Sequence, residues 1–169
     1  MSETAAPLAS VFVCGVGPRT TKLIAHILGD PQAVRLIRAD DEPAGGVTVL
    51  TGVDPGVDVA RDQVIVAHLL ARPQGTPLVV GIGDVRAGMI ARQVAMAGRA
   101  EDLTKVAPGV CLNASRWPGL QGPGDDLVAL CAIAACEALD VDRAIIDKGL
   151  ESFGAAAVST GAPTVGAGT

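Results

Sequence analysis

Val11-Phe-Val-Cys-Gly-Val-Gly-Pro-Arg-Thr-Thr-Lys-Leu-Ile-Ala-His-Ile-Leu28 joins an apolar run to an amphipathic one across a glycine-rich turn. Ser10–Cys14 reads as a buried strand, Gly15–Pro18 as a tight loop, and Arg19–Leu28 as a helix, together a strand-turn-helix unit of α/β type. The turn resembles the phosphate-loop pattern Gly-x-x-x-x-Gly-Lys-[Ser/Thr]. In that pattern backbone N–H groups cradle an anion, lysine neutralises it and the hydroxyl holds Mg²⁺. Here Pro18 stands where the last glycine belongs and Arg19 where the lysine belongs. Proline removes an N–H and fixes φ, and the planar guanidinium is no simple substitute for a compact ammonium. Gly15, Gly17, Arg19, Thr20 and Thr21 are thus candidates for anion or nucleotide binding at a helix N-terminus.

Working outward, apolar runs alternate with helical periods. Val34–Ile37 and Val47–Leu50 are short β-branched segments bounded by Asp, Gly and Pro, and Asp58–Ala71 has near-helical apolar spacing that Pro73-Gln-Gly-Thr-Pro77 ends. Leu78–Ile82 is the clearest strand, followed by a helix over about Arg86–Ala97 that closes at Gly98. Val110–Leu112 reads as a further strand before the irregular Trp117–Gly124 stretch. Asp125 is positioned to cap a helix over Asp126–Leu139, and Asp142 one over Arg143–Phe153. The alternation predicts a three-layer α/β fold, a mostly parallel sheet with helices on both faces. The organisation expected is a mobile N-terminus over 1–9, one domain over 10–154 and a disordered Gly/Ala/Thr-rich tail over 155–169.

Composition narrows the function. Aromatic residues make up 2% of the 169 residues, so the core must be built from small aliphatic side chains. Thirteen basic against eighteen acidic residues, with no basic run, argue against a nucleic-acid surface. Cys14, Cys111, Cys131 and Cys136 lie in apolar runs without a C-x-x-C pair, which favours buried free thiols in a reducing compartment. No leader pattern and no membrane-length apolar run are read, so the expectation is a cytoplasmic protein with no membrane partner.

The order of motifs resembles the central, ATP-binding domain of the Mur ligase family, with its cyanophycin-synthetase and folylpolyglutamate-synthetase relatives. Gly15-Val16-Gly17-Pro18-Arg19-Thr20-Thr21 before Leu23-Ile24-Ala25 is similar to Gly-Thr-Asn-Gly-Lys-Thr-Thr before Leu-Ile-Ala-type helices. Val49-Leu50-Thr51-Gly52-Val53-Asp54-Pro55 resembles Val-Leu-Thr-Asn-Val-x-Pro, with Gly52, Gly56 and Val57 replacing the Asn, Asp and His of the longer pattern. Asp126–Asp142 and Ala144–Phe153 resemble the family's Asn-Ala-Leu-Ala-Ala helix and its Gly-Leu-x-x-Phe segment, Asp126 replacing the Asn. The resemblance implies ATP-dependent amide ligation through an acyl phosphate, with a loop lysine, Mg²⁺ ligands and often a carbamylated lysine. Lys22, Lys105 and Lys148 are the chain's lysines, and none lies in the stretch after Thr51 where the resemblance would place the modified one.

The expectation is therefore a degenerate, truncated relative: a pseudoenzyme or repurposed domain serving as an oligomeric scaffold, regulatory or accessory subunit of an amide ligase or biosynthetic enzyme. It would need no cofactor of its own; ATP and Mg²⁺ would enter only if a partner completed the site. Two alternatives stay open. One is an enzyme holding an anionic small molecule at the altered loop with Arg19, Thr20, Thr21, Asp84 and Asn113; the other is a ligase completed by a partner subunit. Asp84 follows a second glycine turn, Gly81-Ile-Gly83, and reads more readily as a helix cap than as a ribose ligand. His26 and His68 lack a second ligand at metal spacing and read as satisfied, partly buried histidines. For the apolar 126–139 helix, a core position and a partner surface are both open, and Trp117 is a candidate interface anchor.

Overall fold

In a computed structural model, which describes residues 6–43, 45–108 and 117–154, β1 (Ala9–Phe12) is flanked by β2 (Val34–Ile37) and β3 (Val47–Leu50). β4 (Leu78–Gly81) and β5 (Leu103–Val106) extend the sheet beyond β3, in the order β2-β1-β3-β4-β5. All pairs are parallel, with Ala9 opposite Val34 on one side and opposite Val47 on the other. Parallel strands need crossover connections. Here α1 (Gly17–Leu28), α2 (Ala60–Ala71) and α3 (Val85–Val94) lie between strands, and α4 (Asp125–Ala138) and α5 (Arg143–Ser152) follow the sheet.

Period-2 alternation sorts the strands' side chains into two layers. Val11, Val47, Val49 and Val79 pack with Leu23, Ile24 and Ile27 of α1, with α4, and with Ile146 and Leu150 of α5. Phe12, Leu50, Leu78 and Val80 face the other way, against Ile65, Val66 and Leu69 of α2 and Ala87, Ile90, Ala91 and Val94 of α3. Each fully buried aliphatic side chain contributes about 2 kcal/mol. α4 is a core helix, with Val128, Ala129, Cys131, Ala132 and Ala135 fully buried. Trp117 is buried in the same layer, so it is a packing residue and not an exposed anchor.

Several boundaries differ from the sequence reading for identifiable reasons. Gly124, at φ +79°, turns the chain so that α4 begins at Asp125 itself, and Asp125 is inside the first turn instead of capping it. Asp142 occupies the N-cap position of α5, but its side chain accepts no backbone N–H. Past α3 the helix widens into a π turn over Ala95–Arg99, where Gly98 at φ +92° ends it. β5 was missed because Leu103-Thr-Lys-Val106 is an edge strand with exposed middle residues. The strand expected over Val110–Leu112 lies outside the described residues, as do Cys111, Asn113 and the tail.

The α2 layer holds buried polar atoms that have no hydrogen-bond partner among the described residues. Ser10 and Thr48 are register partners, fully or almost fully buried, and their hydroxyls have no partner. His68 is buried edge-on against Phe12 with neither ring nitrogen bonded, which corrects the expectation of a satisfied histidine. Arg72, one helical turn later and also buried, gives one N–H to the Gly46 carbonyl and leaves Nε and Nη1 unpartnered. Burial, with a smaller effect of Arg99, lowers its pKa to about 10.

Candidate functional site

The carboxyl edge of β1 runs into Val13–Val16, and the chain must then start α1 almost at once. Gly17 makes that approach feasible, because a Cβ there would fall 1.8 Å from the Phe12 carbonyl oxygen. Gly15, at φ +61°, supplies the left-handed turn before it. Pro18 fits the first turn of α1, where its missing N–H is not needed by the helix.

Of the groups nominated for an anion, those among the described residues are engaged within the chain. Gly15 donates its N–H to Asp54 Oδ1 at 3.1 Å, so a carboxylate occupies one donor of the loop. The Gly17 N–H goes to the Cys14 carbonyl. Thr20 and Thr21 turn their hydroxyls back to the carbonyls of Val16 and Gly17, both at 2.9 Å. Arg19 makes a two-pronged ion pair with Asp125, Nε to Oδ1 at 2.6 Å and Nη2 to Oδ2 at 3.0 Å, and Nη2 also donates to the Gly119 carbonyl at 2.6 Å. Such bidentate geometry is the strong form of an arginine–carboxylate pair. The Asp125 side chain is 4% exposed and also accepts the Gly122 N–H.

Asp84 is a helix cap, its Oδ1 accepting the Ala87 N–H at 2.8 Å, while Oδ2 accepts from Val53 N–H at 3.1 Å. Gly52 leaves room for that second bond, since a Cβ there would meet Asp84 Oδ2 at 2.9 Å. Together these segments border a crevice of about 330 Å³ whose charged lining residues are Asp54, Asp84 and Asp126. Among the described residues the lining carries three carboxyl groups and no cation, which disfavours a phosphate against these side chains. Among the described residues no cluster of three or more His, Cys, Asp or Glu side chains is arranged to hold a metal ion.

On the opposite side of the same edge lies a second cavity, of about 240 Å³, between the ends of β1, β2 and β3 and the start of α2. Its apolar wall includes Val53, Val57 and Ile65, and Arg38 and Arg61 stand at its mouth. The 54–58 segment between the two spaces is pinned by Arg86, which donates to the carbonyls of Asp54, Val57 and Asp58 and pairs with Asp62 at 2.6 Å. The Asp62 hydrogen bond raises the Arg86 pKa further above its ordinary value. Asp54 falls at the unspecified position of the Val49–Pro55 motif, which gives it no role, and Arg38 and Arg61 belong to no motif.

Cys14 lines this second cavity, and burial first, then Asp54 and Asp84, raises its pKa, so it is a neutral thiol at pH 7. Cys131 and Cys136 are free and buried, with thiols pushed up to about 12. His26 lies exposed on α1, bonded to Ser152 Oγ at 2.8 Å and stacked edge-on with Phe153. No described helix is long and apolar enough to cross a membrane.

No family profile matches the chain. A stretch of 42 residues, 25% of the chain, is 48% identical to the UDP-N-acetylmuramoylalanine--D-glutamate ligase of Sphingopyxis alaskensis. Over that stretch the chain is related to a Mur ligase. The match spans 10% of the ligase's length. Arg19 of the glycine loop is held by a carboxylate of the chain itself.

Proposed function

We propose that this chain is a repurposed Mur-ligase-like domain that has given up phosphoryl chemistry at its glycine loop and acts as an accessory or scaffold subunit of an amide-ligase or other biosynthetic assembly. The observation that carries this reading is the internal closure of the loop: Asp54 on the Gly15 N–H and Asp125 on Arg19 take the positions where an anionic ligand would be held. Phosphoryl transfer is almost entirely positioning and charge neutralisation, so a loop whose cation is already neutralised supplies little of either.

The test combines turnover with assembly. The purified chain is expected to show no Mg²⁺-dependent ATP consumption alone. Its mass in solution, measured by light scattering with and without a complete Mur ligase, is expected to exceed that of one copy. Turnover by the chain alone, or a stable monomer that forms no complex, would contradict the proposal.

A further inference from the structure

The cavity on the α2 side differs in kind from the glycine-loop crevice. It lies at the carboxyl edge of the sheet where the chain order reverses, β2 on one side of β1 and β3 on the other, which is where open α/β sheets take ligands. Among the described residues the Arg38 and Arg61 side chains, like those of Arg35 and Arg92, make no hydrogen bond or ion pair, in contrast to Arg19, Arg72, Arg86, Arg99 and Arg143; of these four, Arg38 and Arg61 line the cavity. Two unbonded guanidinium groups beside an apolar wall form a surface for a ligand with an anionic end and a flat apolar body. Asp40 lines the same cavity at the end of β2 and offers a carboxylate to ligand hydroxyls, while Asp54 has one oxygen committed to Gly15.

From this combination we infer a binding site for a phosphorylated metabolite of mononucleotide size. The phosphate would be held by Arg38 and Arg61, the base against Val53, Val57 and Ile65, and the sugar hydroxyls by Asp40. The volume, about 240 Å³, is under the usual range for a pocket that encloses a drug-sized ligand, so the site would take the base of one nucleotide, with the phosphate outside against the arginines. Val53 and Asp54 border both spaces, but Arg38, Arg61 and Asp40 line this one alone, so the inference does not depend on the proposed loss of phosphoryl chemistry at the glycine loop.

Calorimetry with the four common nucleoside 5′-monophosphates and inorganic phosphate tests the assignment on the full chain, with Arg38→Ala, Arg61→Ala and Arg19→Ala run in parallel. At least one monophosphate is expected to bind with Kd below about 1 mM. Its affinity is expected to fall about tenfold or more in Arg38→Ala and Arg61→Ala and to be unchanged in Arg19→Ala. Cys14 supplies an independent locator: its alkylation at alkaline pH, followed by peptide mapping, is expected to slow when the bound monophosphate is present. The inference is overturned if no monophosphate binds in that range, if both cavity variants bind like the wild type, if inorganic phosphate binds as tightly as the nucleotides, or if Cys14 is not protected. Thermal unfolding of each variant separates a lost site from a lost fold.

Discussion

On the α1/α4 side of the sheet edge, Arg19 is clamped by Asp125, both loop hydroxyls are bonded backward and Gly15 is held by Asp54. On the α2 side, the Arg38 and Arg61 side chains have no partner among the described residues at the mouth of a cavity, and Ser10, Thr48, His68 and Arg72 are buried with polar atoms that no described residue bonds. The same strands feed both sides. A polar group with an internal partner is structural, because releasing it costs the bond, whereas one without a partner is available to a ligand if exposed and a burden on stability if buried. The difference therefore locates binding capacity on the flank that the sequence motif did not mark.

The largest break in this comparison comes at the pivot of the closed flank. Gly17→Ala would place a Cβ 1.8 Å from a backbone oxygen that cannot move without shifting β1. A loss on the order of 4 kcal/mol, read by denaturant unfolding, is expected. Retention of wild-type stability would mean that α1 approaches β1 less closely. Next in size is Asp125→Ala, which strands Arg19 and the Gly122 N–H together. Stability should fall by about 2 kcal/mol, and Arg19→Met in that background should recover part of it.

A smaller effect separates the layers by pH. Burial, reinforced by Arg72 and opposed by Asp41, lowers the His68 pKa below its ordinary 6.5. The unfolded chain then binds a proton that the folded chain refuses, so this contribution is intact above the unfolded value. It is lost as pH falls through about 6.5 towards the folded pKa. His68→Leu should flatten stability between neutral and mildly acidic pH, and an unchanged slope would assign the dependence to other groups. The smallest effect is expected on the open flank. Arg38→Ala and Arg61→Ala, lacking internal partners, should change stability by less than about 0.5 kcal/mol, and a larger loss would show that these side chains are structural after all.

The sequence made the layers legible because buried parallel strands and amphipathic helices leave periodic patterns, and Val11 against Phe12 already distinguishes the two faces. The glycine turn was equally visible. Partners distant in sequence were not: nothing in Gly-Pro-Arg announces that Asp125, more than a hundred positions later, will neutralise Arg19. Asp125 reads as a cap because an aspartate before an apolar helix usually is one, and Gly124 shifts the helix start by a residue. Arg38 and Arg61 carry no sequence motif, and it is the parallel order β2-β1-β3 with α2 folded against it that sets them around one space.

The most direct test of the closed loop is a titration of Mg²⁺-ATP into the wild-type chain and Arg19→Ala side by side. Because Arg19 is already committed to Asp125 and Gly119, the two isotherms are predicted to coincide, whatever binding the other cavity contributes. Mg²⁺-dependent binding in the wild type that disappears in Arg19→Ala would contradict the account and restore the glycine loop as a working phosphate site.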